Sequence, residues 1–252
     1  MSRVVVLGGT GAMGAAVTDE LRRRGHDVLA ASRATGVDVT TGAGLDAALA
    51  GADAVVDCLN LATASKRAAV TFFGGAAERV AAAAALAGVG HIVCLSIVNV
   101  NEPGVRRATG YYAGKGAQED AYAAGSVPVT VARTTAWFSL AETFLSQLRV
   151  GPVAFVPGMR LRPVHPGSVA VFLADAVDSG LEAEGQVGGV RQLVGPEEHD
   201  AAAMAQAVAV ARHRGVRVVR IPLPMKGLRE GLLPGAGVVV DTRTFDDWLT
   251  ET

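Results

Sequence analysis

Apolar residues fall into short unbroken runs, separated by stretches of helical spacing, through the first half of the chain. Val4 to Leu7, Val28 to Ala31, Ala54 to Asp57, His91 to Leu95 and Val127 to Ala132 are such runs. Runs of this length, rich in β-branched residues, suit strands buried on both faces. Between them Ala12 to Arg24, Gly44 to Ala50, Val70 to Ala87 and Tyr111 to Ala124 read as helices. Each is closed by a glycine: Gly25, Gly51, Gly88 and Gly125. The alternation predicts parallel βαβ units, an α/β fold of Rossmann type with a doubly wound parallel sheet.

Beyond Arg133 the alternation weakens. Helices are expected over Ala136 to Leu148, Ser168 to Ser179 and Ala201 to Arg212. Strands are expected near Val153 to Val156, Leu161 to Val164, Val190 to Val194 and Val216 to Ile221, with Thr244 to Leu249 capping the surface. The expected organisation is a single domain, 1–252, in which 1–133 form a nucleotide-binding core and 134–252 are mostly a small substrate-side lobe.

Composition narrows the function classes. Half of the 252 residues are apolar and the formal net charge is −1. No basic excess marks a nucleic-acid or anionic-membrane binder, so neither is expected as a partner. No unbroken apolar run reaches the length of a membrane span. A strand is expected to begin at Arg3, so no signal peptide is expected before it. Cys58 and Cys94, the two cysteines, end apolar runs and suit buried small hydrophobes. A reducing, cytoplasmic setting is expected, as a monomer or homodimer. His26, His91, His199 and His213 lack metal-ligand spacing, so no metal is expected.

Gly8-Gly9-Thr10-Gly11-Ala12-Met13-Gly14 follows the first strand and opens the first helix. Glycines there let the backbone turn tightly and approach a pyrophosphate, while the helix N-terminus presents free N–H groups. Gly8, Thr10, Gly11, Ala12, Met13 and Gly14 are the candidate phosphate-binding residues. At the end of the second strand, an NAD site would offer a carboxylate to the adenosine ribose; this chain offers Ser32-Arg33. A hydroxyl and a guanidinium suit a 2′-phosphate, so NADP(H) is the expected cofactor. The other reading of Arg33 is an ordinary exposed turn residue. Asp38 and Val39 are expected along the adenine, and Leu59 and Asn60 beyond the third strand.

Tyr111 and Lys115 lie four residues apart, on one face of a helix. A free phenol has a pKa of about 10, and a nearby ammonium favours its ionised form. The other reading is a surface tyrosine stacked on a lysine stem. Together with Gly8 to Gly14 and Ser32-Arg33, this pair resembles the short-chain dehydrogenase/reductase superfamily. Ser96-Ile97-Val98, Tyr111 to Glu119, Pro128 to Arg133, Arg162-Pro163-Val164, Gly195-Pro196-Glu197 and Phe245 to Leu249 resemble its atypical, NmrA-like NAD(P)H-binding branch. The resemblance implies hydride transfer, with Tyr111 as acid, Lys115 holding the ribose and tuning Tyr111, and Ser96 beside the nicotinamide. The chain departs from the superfamily in that its serine position falls nearer Val98 or Asn99. Gly114 and Gly116, flanking Lys115, weaken their helix by about 1 kcal/mol each relative to Ala; they either allow close backbone approach or reflect drift.

The implied function is an NADPH-dependent oxidoreductase reducing a ketone or quinone-like, hydrophobic or aromatic small molecule, of the kind found in secondary-metabolite tailoring. NmrA-like proteins also include NADP sensors without turnover, and the superfamily includes epimerases and dehydratases that use the cofactor transiently. Trp137, Phe138, Phe144, Met159 and Phe72-Phe73 as a set suit a flat apolar substrate; the other reading, for any one of them, is the core of the lobe. His165 is a possible second acid or base, with no orienting carboxylate near it in sequence.

Overall fold

Along β1 (Arg3–Leu7), Val4 and Val6 enter one apolar cluster and Val5 and Leu7 another, and all four are buried. A strand of this kind needs a cover on each face, and the rest of the chain supplies both. The computed structural model describes residues 1–182, 188–223, 228, 232–235 and 237–251.

In the first half, β1, β2 (Asp27–Ala31), β3 (Ala54–Asp57), β4 (His91–Ile97) and β5 (Val129–Thr134) alternate with α1 (Ala12–Arg23), α2 (Leu45–Leu49), α3 (Lys66–Ala87), α4 (Pro103–Arg106) and α5 (Gly110–Ala123). The second half adds α6 (Leu140–Gln147), β6 (Arg149–Val150), β7 (Val153–Pro157), β8 (Arg160–Leu161), α7 (Pro166–Glu182), β9 (Gly189–Val194), β10 (His199–Asp200), α8 (Ala201–Ala211), β11 (Arg217–Ile221), β12 (Val239–Val240) and α9 (Phe245–Thr250).

The main sheet has seven parallel strands in the order β2-β1-β3-β4-β5-β9-β12. α1 and α7 bury Val17, Leu21, Val169 and Leu173 against one face. α2, α3 and α5 bury Leu45, Leu49, Val80 and Tyr122 against the other. From β1 the chain crosses to β2 on one side and then to β3 on the opposite side, so the loops after β1 and β3 part there. Such a switch point is where open α/β sheets bind ligands.

A third cluster forms the lobe: Phe138, Leu145, Met159, Leu161, Met204, Val208, Phe245 and Trp248. It lies between α6, α8, α9 and a small sheet ordered β11-β7-β6. The lobe does not hold all of the second half, because α7, β9 and β12 return to the main sheet.

Four expectations change. The helix expected from Ala136 begins only at Leu140, because Trp137 bridges Val164 and the Phe138 amide bonds the Val164 carbonyl at 3.1 Å. The strand expected over Leu161 to Val164 shrinks to Arg160–Leu161, and Pro166 starts α7 at a position where a missing N–H costs nothing. The tail is core rather than surface cap, with Phe245 and Trp248 buried. Finally, α3 is long and apolar enough to cross a membrane by length and composition. Counting unbroken runs missed this because Glu78 and Arg79 interrupt the helix. Half of its most apolar stretch is buried in this fold.

Candidate active site

The turn after β1 is shaped by backbone crowding. A Cβ on Gly14 would lie 2.1 Å from the Gly8 carbonyl oxygen, so only glycine lets α1 start this close to the strand. The Gly11 amide bonds the Gly8 carbonyl at 2.9 Å, and Ala15 is the first helical residue to bond back to Gly11. Among the described residues the amides of Thr10, Ala12 and Met13 make no backbone hydrogen bond, and the Thr10 hydroxyl makes none. No acidic residue occupies the first turn of α1. This cradle fits a pyrophosphate: donors converge at a positive helix end, with no side chain in the way.

At the β2 exit the Ser32 amide donates to Thr35 Oγ1 at 2.8 Å. Arg33 is exposed, and its guanidinium makes no ion pair or hydrogen bond among the described residues. Asp38 accepts from the Thr40 hydroxyl and amide at 2.6 and 2.8 Å, which holds its carboxyl below the usual range. Val39 is buried with Val37 and Leu45, so its side chain serves the core. Leu59 is partly buried and Asn60 exposed beyond β3.

α5 carries the Tyr–Lys pair, capped by Thr109, whose side chain accepts from the Tyr112 amide. The two side chains part company. Tyr111 is half-buried, its ring edge-on to Phe73 with centroids 5.7 Å apart, and its hydroxyl makes no hydrogen bond among the described residues. Lys115 is 2% exposed; its ammonium lies 5.0 Å from the centre of the same Phe73 ring and donates to Gln118 Oε1. A Cβ on Gly114 would meet Phe73 Cδ2 at 2.6 Å and the Ala69 carbonyl oxygen at 2.9 Å. Close packing of α5 on α3 therefore explains Gly114, and Gly116 makes room for the Arg106 guanidinium. Neither glycine requires drift.

Ser96 is buried, and its hydroxyl donates to Glu119. Glu119 also accepts from Arg133 Nε at 3.0 Å and Nη2 at 2.6 Å, and from Asn101 Nδ2 at 3.1 Å. The expectation of Ser96 beside a nicotinamide meets a hydroxyl already committed to this cluster. The residue after Val98, Asn99, has φ +57° and donates to the Leu233 carbonyl at 2.7 Å, linking the β4 exit to the lobe.

Asp57, Gln118 and Tyr122 also meet beneath the crevice. They went unassigned in the sequence, although an acid ending an apolar strand and a Gln–Tyr pair at helical spacing were there to read. Phe73, Phe138 and Met159 are core. Phe72 lines a groove of about 450 Å³ with Thr40, Ser65, Arg67 and Arg79. Trp137 and Phe144 remain partly exposed. His165 does have an orienting carboxylate: its Nε2 lies 2.8 Å from Glu251, supplied by the far end of the chain. The Gly167 amide donates to Nδ1 at 2.9 Å, so the ring proton sits on Nε2. Among the described residues no three His, Cys, Asp or Glu side chains converge as metal ligands.

Residues 4–104 match the model of the NAD dependent epimerase/dehydratase family. No curated protein matches the chain. Solved structures share its fold. One is a short-chain dehydrogenase/reductase superfamily protein from Agrobacterium tumefaciens with bound NAD, with TM-score 0.67 and 18% identity, over 99% of this chain and 95% of that one. Another is dTDP-4-dehydrorhamnose reductase from Bacillus anthracis in complex with NADP, with TM-score 0.70 and 14% identity, over 97% and 91%. A third is UDP-N-acetylglucosamine 4-epimerase from Bacillus cereus, with TM-score 0.67 and 15% identity, over 91% and 88%.

Proposed function

We propose that the chain binds NADP(H) between the β1 and β3 exits and reduces a ketone or quinone-like carbonyl in a small hydrophobic or aromatic molecule. The reading is of an oxidoreductase of the short-chain dehydrogenase/reductase type, in its NmrA-like branch. The observation that carries it is the uncommitted donor cluster of Thr10, Ala12 and Met13 at the switch point, with Arg33 uncommitted at the neighbouring strand end. The NAD- and NADP-bound proteins of the same fold support a dinucleotide there.

When bound, the dinucleotide supplies a hydride to the carbonyl carbon. The amides of Thr10, Ala12 and Met13 would bind the pyrophosphate oxygens, and Arg33 would pair with the 2′-phosphate. Tyr111, its hydroxyl uncommitted, gives its proton to the carbonyl oxygen as that atom gains charge. Lys115, one helical turn on and set against the same Phe73 ring, would contribute its positive charge to the site.

Tyr111→Phe keeps the ring against Phe73 and removes only the hydroxyl. Steady-state reduction of a simple ketone is expected to fall about a hundredfold, while NADPH affinity by calorimetry stays unchanged. A quinone assayed in parallel shows a smaller loss, because its reduced oxygen can take a proton from water. Wild-type ketone turnover by the variant overturns the role of Tyr111.

One observation favours a second reading, an NADP sensor without turnover: Lys115 is turned inward onto Gln118. NADPH binding with no oxidation across a panel of ketones and quinones would select it.

A further inference from the structure

Beneath the crevice lies a chain of buried polar groups in which Lys115 meets three residues, Asp57, Gln118 and Tyr122, that the reading above leaves without a task. Asp57 and Gln118 are each 0% exposed, Tyr122 1% and Lys115 2%. A carboxylate so placed needs donors, and an ammonium needs acceptors. Asp57, the last residue of β3, accepts from the Leu59 amide at 2.9 Å through Oδ1. Its Oδ2 accepts from Gln118 Nε2 at 2.7 Å and from the Tyr122 hydroxyl at 2.6 Å. The carbonyl end of Gln118 accepts from Lys115.

The chemistry of the link is directional. Ionised Asp57 only accepts and protonated Lys115 only donates. A carboxamide has a donor at one end and an acceptor at the other, so Gln118 joins two opposite charges that do not touch. The same carboxylate holds the Leu59 amide, so the loop after β3 is tied to α5.

We propose that Gln118 and Asp57 are positioning residues for Lys115, seating its ammonium between α3 and α5 and tying that seat to the Leu59–Asn60 loop. The link to catalysis rests on the reading of Tyr111 and Lys115 given above; the seating of Lys115 does not.

The test is an exchange of groups. Asp57→Asn turns an NH2 toward the NH2 of Gln118. Gln118 must then rotate its amide, which sets a donor against the Lys115 ammonium. Gln118→Leu removes the bridge outright. The double variant Asp57→Asn/Gln118→Glu restores one carboxylate, one amide and one ammonium, with the carboxylate and the amide exchanged. Acetylation of Lys115 under native conditions, relative to exposed Lys66, is read by peptide mass spectrometry. Both single variants are expected to raise the ratio at least tenfold, and the exchange to return it to within twofold of wild type. Asp57→Asn is nearly isosteric and carries the test if Gln118→Leu does not fold. In ketone reduction, kcat follows the same pattern, with a tenfold loss and then recovery, while KM is unchanged. If labelling follows the pattern but wild type reduces no ketone, the oxidoreductase reading fails and the positioning role stands. A wild-type labelling ratio in folded Asp57→Asn, or an exchange variant labelled as fast as the singles, overturns the proposal.

Discussion

The turn between β1 and α1 and the inner face of α5 lie at the same end of the sheet and treat polar groups in opposite ways. In the turn, the amides of Thr10, Ala12 and Met13, the Thr10 hydroxyl and the Arg33 guanidinium nearby have no hydrogen-bond partner among the described residues. On α5, Lys115, Gln118, Glu119 and Tyr122 are buried and each bonds another side chain. Water can serve the donors of exposed Thr10 and Ala12 until an anion displaces it. Nothing but protein can serve the groups on α5, so each must have a partner within the fold. Tyr111 stands where the two regimes meet, on the committed helix but with its own hydroxyl uncommitted.

That contrast breaks most readily on α5. Glu119→Ala leaves Arg133 without its carboxylate partner and frees Ser96 and Asn101. Loss of one partner of a buried pair costs about 3–5 kcal/mol; with Arg133 part-buried, urea unfolding should report a fall near the lower figure, about 3 kcal/mol. In the turn, the comparable damage needs bulk rather than loss of charge. Gly14→Ala drives a Cβ against the Gly8 carbonyl and should cost about 3 kcal/mol, the upper end for overpacking, and abolish NADPH binding measured by calorimetry.

His91 sharpens the comparison as a buried group only half served. Its Nε2 lies 2.9 Å from the Thr130 hydroxyl, its Nδ1 has no partner among the described residues, and burial lowers its pKa from 6.5 to about 4. The unfolded chain therefore binds the proton more readily. The resulting stability is fully present above about pH 6.5 and is lost as pH falls toward 4, by up to about 3 kcal/mol. Urea melts across that range should show the slope, and His91→Gln should remove it.

The smallest effect belongs to the exposed side. Wild-type protein should bind NADPH at least tenfold tighter than NADH, about 1.4 kcal/mol. Arg33→Asp should reverse the order in paired calorimetric titrations. Equal affinities in wild type would leave Arg33 an ordinary turn residue.

What could be read from the chain alone is what local spacing encodes. The buried runs, the helices and their glycine stops yield the doubly wound sheet, because strand and helix periods are properties of neighbours in sequence. The glycine turn is legible for the same reason, since its whole geometry closes within seven residues, Gly8 to Gly14. Tyr111 and Lys115 share a helix face by spacing, but spacing does not say which way each side chain turns. Phe73, from another helix, and Gln118 decide that. Ser96 reads as a site residue in sequence, and only the fold shows that its hydroxyl donates to Glu119, which Arg133 also holds. His165 lacks a carboxylate in sequence and gains Glu251, 86 residues away, in space. β12, two residues long, shows no periodicity, and only its pairing with β9 makes it a strand. Local pattern determines where the backbone turns and which face is apolar. Partners for buried charges come from distant elements, and only the folded chain brings them together.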